Sequence, residues 1–151
     1  MLDRGVNHLR ASFPSKRVVS TETLGLRSTL PDDEIIEHAS TRGYLLVASN
    51  RRDFLRDAER YVKQSSKKQF GRCRVHGMIL LVPNDEITQR RVLERLESRL
   101  KFEGKPITYG DVHDRDLVVV VEASGKATVS RLPQCPHCKY DDDDSGRKTR
   151  K

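Results

Sequence analysis

Three continuous apolar runs and several stretches of helical periodicity divide the chain into alternating strands and helices. The runs cover residues 44–48, 78–82 and 117–121, and such runs are typical of strands that are buried on both faces of a sheet. Apolar residues at helical spacing predict helices over 3–13, 31–43, 52–62 and from 83 to about 102. Residues 104–114 are predicted to form a loop, with His113 as a solvated residue in it. This alternation predicts βαβ units and a mostly parallel sheet, and therefore an α/β fold.

The two ends of the chain depart from this pattern. Residues 1–2 are predicted to be the stub of a first strand, which indicates either a truncated strand or a start farther upstream. Residues 117–121 and 127–132 are predicted to pair as a C-terminal β-hairpin around Ala-Ser-Gly-Lys. We expect one domain over 1–133 and a charged tail over 134–151, disordered after 138.

Positive charge is concentrated in one segment. The chain has a net charge of +7, and residues 51–74 hold nine basic and three acidic residues, a net charge of +6. A patch of this kind favours a polyanionic partner, although a solvated helix face and loop is the alternative. The lack of tryptophan leaves few platforms for base stacking.

Several aspartates lie where a strand passes into a loop or helix. Asp3 follows the first apolar pair, Asp32 and Asp33 open the helix after Pro31, and Asp53 follows the run at 44–48. The ends of parallel strands share one edge of a sheet, where carboxylates can gather around Mg²⁺ or Mn²⁺. The alternative is that these aspartates only stabilise helix N-termini.

Four stretches in this order resemble the PIN-like domain family, in particular a short prokaryotic branch related to the toxin ribonucleases of toxin–antitoxin pairs. They are LDRGVNHL, LGLRSTLPDDEIIEHASTRGYLLVASNRRDF, HGMILLV and LVVVVEASGKATVSRLP, and they run from residue 2 to residue 133. The resemblance implies a three-layer PIN-like fold, with a mostly parallel central sheet flanked by helices and a C-terminal β-hairpin.

The resemblance also implies which residues form the catalytic site. Asp3 matches the first metal-binding acid and Asp32 the second, with Asp33 as a stand-in, and Asp53 matches the second aspartate of a Thr-x-Asp-x-Asp-Phe-like turn. Ser49 matches the threonine of that turn and keeps its hydroxyl.

The turn departs from the family pattern at its first aspartate. Arg51 occupies that position, or Asn50 after a shift of one residue. Arginine would repel a metal ion, and asparagine would bind one more weakly than aspartate. We expect Arg51, Arg52, Lys67 and Lys68 to contact phosphates.

The implied function is a metal-dependent endoribonuclease, the toxin of a toxin–antitoxin pair, with RNA as substrate and Mg²⁺ or Mn²⁺ as cofactor. A small antitoxin protein and a second copy in a homodimer are the implied partners. Two alternatives remain open: a catalytically weakened PIN-like module that binds RNA or protein, and an adaptor held together by zinc.

The zinc alternative depends on two pairs of residues. Cys73 and His76 form a CxxH pair, and Cys135 and Cys138 form a CxxC pair. Together they would supply the four ligands of a Cys₃His zinc site. Reduced thiols, a redox-active CxxC pair, or a metal shared by two chains are the other interpretations.

The chain has no feature that predicts a membrane or secretory location. Its three cysteines are an odd number, its first residues lack the apolar core of a signal peptide, and no apolar run reaches the length of a membrane span. We therefore expect a cytoplasmic protein with no membrane partner.

Overall fold

The structure of the protein, a computed structural model, describes residues 1, 9, 32–49, 54–65 and 75–132. These residues form an α/β fold in which a mixed sheet is flanked by helices. In chain order the elements are α1 (Asp32–Arg42), β1 (Leu46–Ser49), α2 (Phe54–Ser65), β2 (Met78–Leu81), α3 (Glu86–Glu94), α4 (Leu96–Arg99), β3 (Lys101–Phe102), β4 (Lys105–Pro106), α5 (Tyr109–Asp114), β5 (Leu117–Val121) and β6 (Ala127–Arg131).

The central sheet has the strand order β1-β2-β5-β6. β1, β2 and β5 are parallel, with Leu46 opposite Met78 and Met78 opposite Val118. β6 runs antiparallel to β5, with Val119 opposite Val129. The apolar runs of the sequence therefore lie side by side in the sheet.

Alternate residues of each strand enter two separate cores. Leu46, Met78 and Val118 pack with apolar residues of α1 and α2. Val47, Ile79 and Val119 pack with apolar residues of α3, α4 and α5. Because successive side chains of a strand point to opposite faces, helices cover both faces of this sheet, and this explains why its strands are continuously apolar.

Met1 lies beside β1. Its amino group donates to the carbonyl oxygen of Leu45 over 2.5 Å, and its carbonyl oxygen accepts from the amide of Val47 over 2.8 Å. One residue bonded to both neighbours of Leu46 is the pattern of parallel strands. The backbone of Met1 is therefore parallel to β1.

The region 96–114 differs from the predicted long helix and loop. The helical path breaks at Arg95, and β3 and β4 form a small antiparallel pair. Glu103 and Gly104 both have positive φ, as the tight turn between antiparallel strands requires. α5 replaces the predicted loop, and it begins with a capping box between Thr108 and Asp111.

Candidate functional site

The parallel strands end together at one edge of the sheet. Ser49 lies opposite Leu81, and Leu81 lies opposite Val121. We call the edge formed by these three residues the carboxyl edge, and the opposite edge, where the same strands begin, the amino edge. Ligand sites of open α/β sheets form at the carboxyl ends of the strands.

The acidic start of α1 lies at the carboxyl edge. Gly43 adopts a φ of +72° and ends the helix; its amide donates to Ser40, and the amide of Tyr44 donates to Ala39. These two bonds form a Schellman motif, which reverses the chain. Only residues 43–45 connect α1 to β1, so the helix runs antiparallel to the strand and its first residues lie beside the end of that strand.

Asp32 and Asp33 are the first two residues of α1. The Asp33 side chain is exposed, and its Oδ1 accepts from the amide of Glu34 over 3.0 Å. That bond satisfies one of the amides left unpaired at a helix N-terminus, so Asp33 has a structural role in addition to any role in binding.

The end of β1 and the start of α2 share this edge with α1. Ser49 is the last residue of β1 and is half-buried, and α2 begins at Phe54. Residues 50–53 connect these two elements and lie outside the described residues. The fold therefore brings the acidic start of α1 and Ser49, both of which the sequence predicts for one site, to the edge where α2 begins.

The remaining predicted site residues lie outside the described residues. Among the described residues, no group of three or more His, Cys, Asp or Glu side chains could hold a metal ion. The Mg²⁺ or Mn²⁺ site therefore stays a prediction. The residues outside the description are Asp3, Asn50, Arg51, Arg52, Asp53, Lys67, Lys68, Cys73, Cys135 and Cys138.

His76 lies near the amino edge, just before β2. Its ring stacks on that of His113, with 5.2 Å between the centroids and 20° between the planes. Its three predicted zinc partners are the cysteines outside the described residues, so the zinc site also stays a prediction. The histidine pair lies at the opposite edge of the sheet from the acidic start of α1.

His113 is not the solvated loop residue that the sequence predicts. It lies in α5 and is half-buried. Its Nε2 is 2.6 Å from the carbonyl oxygen of Gly43, and its Nδ1 is 2.7 Å from Oδ1 of Asp114. The ring thus connects α5 to the end of α1, and this contact is structural. Seventy residues separate His113 from Gly43, so no local pattern predicts it.

One row of basic residues is not among the predicted site residues. Arg91, Arg95 and Arg99 follow each other at intervals of four residues along α3 and α4, and they line a cleft beside the connection from β5 to β6. The sequence signal is the arginine at every fourth position over 91–99, the spacing at which residues of an uninterrupted helix would share one face.

No protein family, characterised protein or solved structure matches the chain. Within the described part of the chain, no helix has the length and apolar character to cross a membrane.

Proposed function

We propose that the protein is a PIN-like endoribonuclease that hydrolyses RNA with Mg²⁺ or Mn²⁺ at the carboxyl edge. The observation that carries this proposal is the convergence of the α1 start, the β1 end and the α2 start at one edge of a parallel sheet. Asp32 is the first residue of α1, and Asp53 directly precedes α2. The direction of the chain at Met1 supports the inclusion of Asp3, since Met1 runs parallel to β1.

Each residue has a defined part in this proposal. Asp3, Asp32 and Asp53 would hold the ion, because Mg²⁺ and Mn²⁺ prefer carboxylate oxygens. A bound ion activates water and neutralises charge on the scissile phosphate. Arg51 and Arg52 follow Ser49 closely in the chain and would contact the phosphates on either side.

The resemblance to the PIN-like family also implies the biological role of the proposed nuclease. As the toxin of a toxin–antitoxin pair in the cytoplasm, the protein would be bound and inhibited by a small antitoxin protein, and it would act as a homodimer. Co-expression with the protein encoded next to it tests this part independently of the chemistry. A stable complex that blocks RNA cleavage is the expected result, and cleavage unaffected by the neighbour would contradict it.

The catalytic proposal is tested with Asp32→Asn and, as a matched control, Glu37→Gln, which removes an exposed carboxylate from the middle of the same helix. The native protein and the control should cleave RNA only with Mn²⁺ or Mg²⁺. They should also gain about 2.7 kcal/mol of stability in thermal melts at a hundredfold excess of ion over Kd. Asp32→Asn should lose both effects, and equal cleavage by Asp32→Asn and the control would contradict the metal site.

A second candidate function is RNA binding without hydrolysis. Asn50 and Arg51 favour it, because they stand where the resemblance expects an acidic ligand. In that case the native protein would bind RNA in a salt-dependent way. It would not cleave RNA with Mn²⁺, and Mn²⁺ would not change its thermal stability. The same measurements therefore separate the two functions.

A further inference from the structure

A cleft separates α3 and α4 from the connection between β5 and β6. Its volume is about 270 Å³, slightly below the lower limit of ~300 Å³ for ordinary small-molecule sites. Arg91, Arg95 and Arg99 line one side, and Ala123, Ser124 and Gly125 line the other. We call it the arginine cleft.

Two of the arginines are directed toward the β5–β6 connection. Nη2 of Arg91 donates to the carbonyl oxygen of Ala123 over 3.1 Å. A Cβ atom added to Gly125, which has a φ of +93°, would lie 3.3 Å from Nη1 of Arg99. Both guanidinium groups thus lie against the far wall, and their remaining N–H groups are available at the cleft.

The cleft has a net positive charge that its own residues do not neutralise. Three arginines and one acid, Glu94, line it. Among the described residues, neither Arg95 nor Arg99 forms an ion pair, whereas Arg90 on the adjacent surface of α3 pairs with Glu86 over 2.6 Å. Guanidinium groups without a carboxylate partner are suited to bind a planar or tetrahedral oxyanion.

The three arginines follow one another along the wall of the cleft. Arg91 is in α3, Arg95 lies between the two helices and Arg99 ends α4, so the wall offers three guanidinium groups to an extended anion such as a chain of phosphates. The β5–β6 connection follows Val121, so the cleft lies at the carboxyl edge. β5 is two strands from β1, a distance of about 10 Å.

We propose that the arginine cleft binds the phosphodiester backbone of RNA and directs the strand toward the carboxyl edge. This inference rests on the proposed function for the identity of the nucleic acid, and the arginines themselves take no part in hydrolysis. The contacts are to phosphates, so they position the strand without reading its sequence.

The test measures the binding of a labelled single-stranded RNA in EDTA, where no hydrolysis occurs. The double variant Arg95→Ala/Arg99→Ala should weaken binding by about tenfold or more. It should also lower the slope of log K against log salt by about 1.4, since each phosphate contact to a single strand contributes about 0.7. The matched control Arg42→Ala/Arg90→Ala removes two exposed arginines elsewhere and should leave the slope unchanged. Thermal melts verify that both variants are folded.

Three outcomes would overturn the inference. The first is equal RNA binding by the cleft variant and the control, and the second is no RNA binding by the native protein. The third is binding of poly-glutamate with the same dependence on Arg95 and Arg99, because that result would assign the cleft to an acidic protein. Failure of the proposed function gives a different result: RNA would still bind through the cleft, but Mn²⁺ would produce no cleavage.

Discussion

Gly77 is the residue on which the close contact between β2 and α5 depends. Its φ is +91°, and an added Cβ would lie 2.4 Å from the carbonyl oxygen of Val112, a backbone atom that cannot move independently. Gly77→Ala should therefore lower the free energy of unfolding by about 2 kcal/mol or more, from backbone strain and steric overlap together. Urea unfolding measures this loss.

Gly104 provides the matched control for Gly77. Its φ is +80°, and a Cβ there would have no atom within 4 Å. Gly104→Ala should cost only the left-handed backbone conformation, about 1 kcal/mol. If both substitutions lowered stability equally, the contact between Gly77 and Val112 would have no energetic role.

His38 should make stability depend on pH. Its Nδ1 is buried and has no hydrogen-bond partner among the described residues. Desolvation lowers the pKa of the imidazole below 6.5, and Arg42 lowers it further. The unfolded chain then takes up the proton first, so stability falls as pH decreases through 6.5 toward the pKa of the folded state. His38→Gln should reduce the loss of Tm between pH 7 and pH 5. An identical loss in the native protein and His38→Gln would mean that other groups cause it.

At the scale of elements, the strands of the central sheet are the part that the sequence predicts well. The apolar runs at 78–82 and 117–121 correspond to β2 and β5. Burial on both faces makes every residue of such a strand apolar, and this signal is local. The acidic start of α1 is also local, because Pro31 and the two aspartates mark it in the sequence.

The elements that the sequence did not predict are short and depend on distant contacts. α5 has six residues, and Val112 and His113 hold it against Gly77 and Gly43. β3 and β4 have two residues each, too few for an apolar pattern. For the same reason the sequence predicts the acidic start of α1 but not the arginine cleft, whose far wall comes from the β5–β6 connection.

At the scale of the whole molecule, positive charge is concentrated in two parts of the chain. One is the arginine cleft, and the other is the segment 51–74. Within that segment, α2 holds three basic and two acidic residues, a net charge of +1, and Arg60 pairs with Asp57. Five of the six net charges therefore belong to the residues that flank α2, so Lys67 and Lys68 are the better place to test RNA contact.

Lys67→Ala with Lys68→Ala should weaken RNA binding and lower the slope of log K against log salt by about two units for duplex or structured RNA, since two phosphate contacts are lost. The matched control is Lys101→Ala with Lys105→Ala, which removes two exposed lysines from β3 and β4.

β3 and β4, which hold the control lysines, lie away from the carboxyl edge, because Phe102 packs against Arg115 and Arg131 near the amino edge. An equal decrease in slope for both pairs would mean that RNA responds only to net charge. A decrease confined to Lys67 and Lys68 would place the RNA on the basic segment. If the Arg95→Ala/Arg99→Ala variant also lowers the slope and the two effects add, the strand contacts both basic surfaces at once.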